Sequence, residues 1–270
     1  MSFLLEKTLP NEILPKEVFH QEPTIQFFSQ EQMSLLDQTR IPKHIAIIPD
    51  GNRRWAKNES FHPNEGHHHG ADILMDVVNS AQEIGIKTLT FYTFSTENWN
   101  RDPNEVEGLM WLIQNYLSDK CSEMIKCGVK FDYIGDMRGV STSLYQTIQE
   151  TKKATAHCQK IDMVLAINYG SRDEICRAIQ SIAADCSTHK ILTENITQEL
   201  VSSYLDTHKW GDPELLIRTS GEMRISNFLL WQLSYAEIYV SNVLWPDYRP
   251  NHLFQAIYNY QQRDRRLGGP

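Results

Sequence analysis

Three short polar clusters hold the residues of this chain whose types and spacing could do chemistry. The first is Asp50-Gly51-Asn52-Arg53-Arg54-Trp55. Asp50 is a hard oxygen donor of the kind that suits Mg²⁺, which keeps several waters and takes one or two carboxylates plus substrate phosphates. Arg53 and Arg54 can neutralise a diphosphate through paired donors. Gly51 lets backbone approach a ligand closely. The same Asp-Gly-Asn run is also ordinary turn chemistry with solvated charges, and no GxxxxGK[ST] phosphate loop is present. The second cluster is Ser95-Thr96-Glu97-Asn98-Trp99-Asn100-Arg101, which reads either as a substrate loop or as a capped loop that starts a helix. The third runs from Arg218 to Asn227. Its arginines, Arg218 and Arg224, stand among hydroxyls and a glycine, which makes an anion pocket or an ion-paired surface. His67-His68-His69 does not make a metal site, because three adjacent helical residues point in different directions. His67, nearest the expected helix start, is the phosphate-contact candidate.

Each cluster follows an apolar run. His44–Ile48 reads as a buried strand that enters the first cluster. Ala71, Leu74, Val78 and Ala81 recur at helical spacing, so the pattern predicts a helix over 67–84, stopped by Gly85. Residues 86–94 read as the next strand. Asp102-Pro103 with Glu105 forms a helix start, and Gly128 a stop. Strand-like 129–134, helix-like 141–157, strand-like 161–168 and helix-like 171–185 follow. Leu215–Ile217, Ile238–Val240 and a final helix near 250–265 complete the pattern. Alternation of this kind means an α/β fold with a central, mainly parallel sheet flanked by helices. Ligands in such sheets sit at the carboxyl ends of strands, where all three clusters fall. The residues alone point to an enzyme or binder of a phosphorylated, partly hydrophobic ligand. A phosphatase or nucleotide-binding protein would need a nucleophile elbow or P-loop, and neither motif occurs.

The 270 residues carry 26 Lys+Arg against 34 Asp+Glu, a formal charge of −8, which disfavours nucleic acid as a partner. No apolar run reaches the roughly 18 residues that a membrane span needs. The start, with Glu6 directly after its short apolar run, is unlike a secretory signal. Five cysteines without a CxxC pair read as reduced thiols in a cytoplasmic protein. Residues 1–40, with Pro10, Pro15 and Pro23, read as an extension that drapes over the domain or hangs loose, with a single domain over 41–270. The aromatic residues Trp231, Tyr235, Tyr239, Trp245 and Tyr248 read as core or subunit contact, since no basic residues interleave with them.

At these clusters the chain resembles the cis-prenyltransferases, the undecaprenyl diphosphate synthase family. The matching segments are His44–Ala56, Gly66-His67, Phe94–Arg101, Ile217–Gln232, Tyr235-Ala236-Glu237 and Leu244–Asp247, with Arg265–Gly269 similar to the family's Arg-x-Gly ending. The resemblance spans residues 41–269 and leaves 1–40 outside. It implies the family's α/β sandwich, a homodimer, and Mg²⁺-dependent condensation of isopentenyl diphosphate with an allylic diphosphate such as farnesyl diphosphate. Each new double bond would be cis. The expected product is long-chain, undecaprenyl diphosphate, a lipid-carrier precursor for cell-wall glycan synthesis. It would partition to the membrane, with the protein cytoplasmic or peripheral at the inner membrane surface. The alternatives are a shorter product or a non-catalytic partner subunit.

Position by position, the resemblance makes Asp50 the catalytic acid and a Mg²⁺ ligand, with Glu237 a second metal contact. Gly51, Asn52, Arg53, Arg54, Trp55 and His67 match the allylic diphosphate site. Ser95, Thr96, Glu97, Trp99 and Arg101 match the second substrate loop. Asn98 holds the position often assigned as proton acceptor. A neutral amide is a feeble base, so Asn98 is expected to orient the substrate or relay through water. Arg218, Arg224, Ile225 and Ser226 match the isopentenyl diphosphate pocket, and Arg266 and Gly268 would reach a partner's site. Pro63 stands where the family often has an Arg, with His62 the nearest substitute; Met223 stands where many members have a His; Pro49 replaces a common Met. The growing chain is expected between the sheet and two helices, with Ala71 and Thr93 near the entrance and Ile161 near the closed end.

Overall fold

A computed structural model describes residues 26–264. Its elements in chain order are α1 (Gln30–Ser34), β1 (His44–Ile48), α2 (Asn52–Asn58), α3 (Pro63–Asp72), α4 (Leu74–Ile84), β2 (Thr88–Ser95) and α5 (Pro103–Cys127). Then come β3 (Val129–Ile134), α6 (Thr142–Thr155), β4 (Ile161–Tyr169), α7 (Ser171–Ser187), α8 (Gln198–Ser203), β5 (Leu215–Arg218), β6 (Glu237–Val240) and α9 (Pro250–Gln261). The strands form one sheet in the order β3-β4-β2-β1-β5-β6, every pairing parallel. Strands covered on both faces read as continuous apolar runs, and β1 is buried along its whole length. Two apolar clusters cover the faces. The larger joins α4, α5 and α9 to the sheet; the smaller gathers Ala46, Val164, Ala166, Tyr169, Leu216, Phe228 and Leu229 on the other side.

Register brings the clusters together. Ile48 pairs with Arg218 and Ile47 with Phe91, so β5 and β1 end level and β2 continues past them, in the same direction, to Ser95. Asp50 lies two residues past Ile48 and therefore beside Arg218. The long α5 is capped as its sequence predicts: Asp102 accepts from the Asn104 N–H at 2.9 Å, Pro103 opens the helix, and Gly128 closes it at φ 76°.

Two local expectations change, and one left open between two courses is decided. The helix expected over 67–84 begins at Pro63 and divides at Ile73 into α3 and α4. Close contact of α3 with α2 accounts for its separate course. A Cβ at Gly66 would lie 2.0 Å from the Asn52 carbonyl oxygen, and Trp245 Nε1 donates to the Gly70 carbonyl at 2.8 Å. His67 consequently sits in the second turn of a helix and not at its start. The first cluster is not a loop throughout, since residues from Asn52 onward form α2. Finally, residues 26–40 belong to the packed body. Phe28 is buried against Phe254, and the N–H groups of Phe27 and Phe28 donate to the Glu83 carboxylate at 2.8 and 3.2 Å. The signal for this was the Ser29/Gln32 capping box of α1. Residues 1–25, with their prolines, and Arg266 and Gly268 lie outside the described residues.

Candidate active site

Asp50 is held from three sides. Its Oδ2 accepts from Arg218 Nη2 at 2.7 Å, its N–H donates to Thr219 Oγ1 at 2.7 Å, and the Thr219 hydroxyl donates to its carbonyl at 2.6 Å. Arg54 and Arg224 stand 4.0 Å from its carboxylate. Gly51 follows at φ 108°, where a Cβ would meet Leu244 at 2.9 Å and Ser220 at 3.0 Å, so only glycine fits between these segments. Glu222 pairs with Arg54 at 2.9 Å and with Arg224. Arg218 is buried and also donates from Nη1 to Ser226 Oγ at 2.9 Å and to the Arg224 carbonyl. The first and third clusters are thus one constellation of three arginines and two carboxylates.

On the opposite wall, Ser95–Asn100 forms a 3₁₀ turn after β2. The Asn98 Oδ1 accepts from the Ser95 N–H at 3.1 Å. Its carbonyl oxygen is therefore engaged, and the group free to face a ligand is the amide NH₂, a donor. This favours orientation over proton acceptance. Burial raises the Glu97 carboxyl, but hydrogen bonds from Asn227, its own backbone, Ser95 and Thr96 outweigh it and hold the group below its ordinary value. Glu105 gathers two cations, Arg101 at 3.0 Å and Arg53 at 3.8 Å, and the His67 imidazole at 3.9 Å. Burial, aided by Arg101, Arg53 and His68, pushes His67 down to about 4, so its imidazole is neutral near pH 7.

These groups line one cavity of about 670 Å³ that contains Asp50, Gly51, Asn52, Arg53, Arg54, His67, Ser95, Glu97, Asn98, Arg101, Arg218, Arg224 and Ser226. Asn52 Oδ1, His67 Nε2 and Arg218 Nε are buried without a hydrogen-bond partner, as a site shaped for a polar ligand leaves them. An apolar recess of about 80 Å³ shares Pro49, Asn52, His67, Thr93 and Leu109 with the cavity. It extends between α3, α5 and the sheet along Ala71, Leu74, Leu112, Ile113, Tyr116 and Leu165. A charged chamber therefore opens into an oily one.

Five expected site residues stand outside the cavity lining. Trp55 donates to Asp247 at 2.9 Å and packs on His69 and Phe61. Trp99 donates to Asn168 at 2.7 Å against Phe94, which ties the second cluster to the end of β4. Thr96 faces Gly170, and Ile225 packs in the smaller apolar cluster. Glu237 opens β6 opposite Leu215, whereas Arg218 pairs with Val240. Three residues of strand separate it from the site by about 10 Å, and its partner is Arg263 at 2.7 Å. Within one chain it does not join Asp50 around a metal. Sequence reading missed Glu105 and Glu222: the first looked like a helix-start residue and the second had no reading of its own within the third cluster. His62 caps α3, Pro63 is its first residue, and Met223 is exposed.

Mg²⁺ fits the residues present, as an ion arriving with a diphosphate. Asp50 offers one partly exposed carboxylate beside anion-binding arginines, and Mg²⁺ typically uses one or two carboxylates plus phosphates. Among the described residues no group of three His, Cys, Asp or Glu side chains could hold a metal by itself.

Residues 48–268 match the family described as putative undecaprenyl diphosphate synthase. The isoprenyl transferase of Chlamydia trachomatis is 45% identical over 241 residues, covering 88% of this chain and 95% of that protein. That of Prochlorococcus marinus is 45% identical over 234 residues, covering 87% and 86%. Among solved structures, lavandulyl diphosphate synthase from Lavandula x intermedia, in complex with dimethylallyl diphosphate, superposes with TM-score 0.83 at 33% identity, covering 85% of this chain and 99% of that one. A probable undecaprenyl diphosphate synthase from Campylobacter jejuni gives TM-score 0.70 at 31% identity, covering 84% and 98%.

Proposed function

The chain belongs to the undecaprenyl diphosphate synthase family of isoprenyl transferases, and from that premise we propose that it extends an allylic diphosphate, farnesyl diphosphate, with isopentenyl diphosphate. The product is a long-chain cis-polyprenyl diphosphate, undecaprenyl diphosphate, which partitions to the membrane as a glycan carrier precursor. The observation that carries this reading is the charged cavity that opens into the apolar recess beneath His67 and Thr93. One end suits diphosphates and the other a hydrocarbon tail.

In this reading the primer's diphosphate lies against Arg53, Arg54 and the neutral His67, with its tail in the recess. The second diphosphate lies against Arg218, Arg224 and Ser226. Condensation breaks the primer's C1–O bond, forms a carbon–carbon bond to isopentenyl diphosphate, and releases diphosphate and one proton. Cation character develops at C1 as negative charge gathers on the leaving group, and fixed guanidinium groups stabilise that charge without reorganising. Asn98 orients the second substrate through its NH₂. Holding both reactants in line converts a bimolecular step into a local one. Asp50 would hold Mg²⁺, which when bound supplies Lewis-acid stabilisation to the diphosphate.

The protein acts as a homodimer in this proposal, with Arg266 and Gly268 reaching the partner's site. The exposed Tyr235 and Ile238 beside the β6 edge provide an apolar contact. No helix among the described residues is long and apolar enough to cross a membrane, which fits a protein that meets its product at the inner membrane surface. A shorter product is the second reading, favoured by the small volume of the recess, about 80 Å³. Incubation of the purified protein with radiolabelled isopentenyl diphosphate, farnesyl diphosphate and Mg²⁺, with and without EDTA, tests the proposal. Chromatography of the dephosphorylated products gives the chain length, and no incorporation would favour a non-catalytic partner subunit.

A further inference from the structure

Asn227 has no role in the mechanism above, yet its side chain and backbone connect three segments around the cavity. Its Nδ2 donates to Glu97 Oε1 at 2.8 Å, its Oδ1 accepts from the Arg172 N–H at 3.0 Å, and its carbonyl accepts from the Ser171 N–H at 2.8 Å. Ser171 returns the link, its Oγ accepting from the Leu230 N–H at 2.9 Å. These contacts join the second cluster, the first turn of α7 and the third cluster. They leave no spare room: a Cβ on Gly170 would stand 2.5 Å from Thr96 Oγ1 and 2.8 Å from Asn227 Nδ2.

The backbone here is strained. Ser226 and Asn227 have φ of 50° and 62°, in the left-handed region that L residues rarely occupy. Such a conformation persists only where surrounding contacts over-determine it. Asn tolerates it better than most residues. Its neighbour Ser226 is held by Arg218 at 2.9 Å through Oγ and by the Tyr92 hydroxyl at 3.2 Å through its carbonyl. Any movement of Asn227 therefore reaches Ser226 and Arg218 directly.

We propose that Asn227 is a positioning residue, whose amide bridges Glu97 to the start of α7 and so fixes the separation of the second and third clusters across the cavity. The residue type follows from this task. One planar group must donate to a carboxylate on one side and accept from a backbone N–H on the other. A carboxylate cannot donate, and a smaller side chain can do neither. The inference rests on the reading of the third cluster as the isopentenyl diphosphate pocket.

The test compares Asn227→Gly, Asn227→Asp and the double variant Glu97→Gln/Asn227→Asp with the wild type. Glycine keeps the backbone angle and removes the bridge. It should raise KM for isopentenyl diphosphate about tenfold, the value of a hydrogen bond to a charged group, with a smaller change for the primer. Asn227→Asp sets a carboxylate against that of Glu97 and should be worse. The double variant reverses donor and acceptor and should recover part of the loss, which a merely structural role would not produce. Amide hydrogen exchange at Ser171 and Arg172 gives a readout independent of turnover, and protection there should fall at least tenfold in Asn227→Gly. Unchanged protection, or wild-type KM for isopentenyl diphosphate in both single variants, overturns the proposal, as does a double variant no better than Asn227→Asp. A wild type that elongates nothing overturns the functional reading instead, and the exchange measurement still decides the bridge.

Discussion

Arg218 and Arg224 stand six residues apart in one cluster, but the structure gives them different work. The Arg218 side chain is 5% exposed and bonds Asp50 at 2.7 Å and Ser226 at 2.9 Å; the Arg224 side chain is 60% exposed and stands 4.0 Å from Asp50. Removing one partner of a buried, hydrogen-bonded ion pair costs about 3–5 kcal/mol, and the partial exposure of Asp50 argues for the lower end. An exposed pair at the longer distance contributes at most about 1 kcal/mol. Arg218→Ala should therefore lower unfolding stability by about 3 kcal/mol. It should also lower kcat about a hundredfold, since Asp50 and Ser226 both lose their anchor. Arg224→Ala should raise KM for isopentenyl diphosphate about fivefold while stability and kcat stay near wild type. Its carbonyl, which Arg218 uses, survives the substitution. Arg218→Lys should rescue little, because one ammonium does not reproduce a planar fork. Steady-state kinetics in both substrates, with urea unfolding of each variant, gives the comparison. Equal effects of the two alanine variants on kcat, or a fully stable Arg218→Ala, would refute the division between anchor and ligand contact.

Burial pushes the His44 imidazole, bonded to the Gly211 carbonyl and the Thr90 hydroxyl at 2.8 Å each, down to about 4. A folded value below the ordinary 6.5 favours the neutral form, so its contribution is intact above about pH 6.5 and is lost as pH falls towards 4. The loss should reach about 2 kcal/mol at pH 5. His67 acts in the same direction. Urea midpoints at pH 7 and pH 5 should differ more for wild type than for His44→Asn, and identical pH dependence would contradict the assignment. Thr93→Leu, which fills the junction of the two chambers, should shorten the polyprenol, whereas Thr93→Val should not; an unchanged length distribution in both would move the chain's path elsewhere. Ile161→Ala should cost about 2–4 kcal/mol of stability without altering length, because Ile161 is core some 13 Å along β4 from the lining residue Leu165.

The alternation of apolar runs with helical periods made the α/β class legible, and the clusters after β1, β2 and β5 were readable as one site. Parallel strands run in the same direction, so polar residues after each are brought to one edge. What the sequence concealed depends on packing. The division at Ile73 comes with the close approach of α3 to α2, which no local signal near Ile73 announces. Trp55 and Trp99 lie in polar motifs yet hydrogen-bond to Asp247 and Asn168 outside the cavity, a choice set by tertiary contacts. The place of Glu237 depends on strand register, which fixes it opposite Leu215 at the far end of the pairing. Glu105 lay in view as a helix-start residue, but its three partners, two arginines and the His67 imidazole, come from α2, α3 and the second cluster.

In the proposed reaction Asp50 and its surrounding arginines drive elongation of an allylic diphosphate whose tail enters the apolar recess. Single-turnover incubation of wild type and Asp50→Ala with farnesyl diphosphate, labelled isopentenyl diphosphate and Mg²⁺ tests it most directly, with circular dichroism to confirm both folds. Wild type should give labelled cis-polyprenyl products, lost on EDTA addition, and Asp50→Ala a rate at least about a hundredfold lower, the several kcal/mol that a metal-stabilised charge contributes. Equal rates in the two proteins, or no elongation by folded wild type, would contradict it.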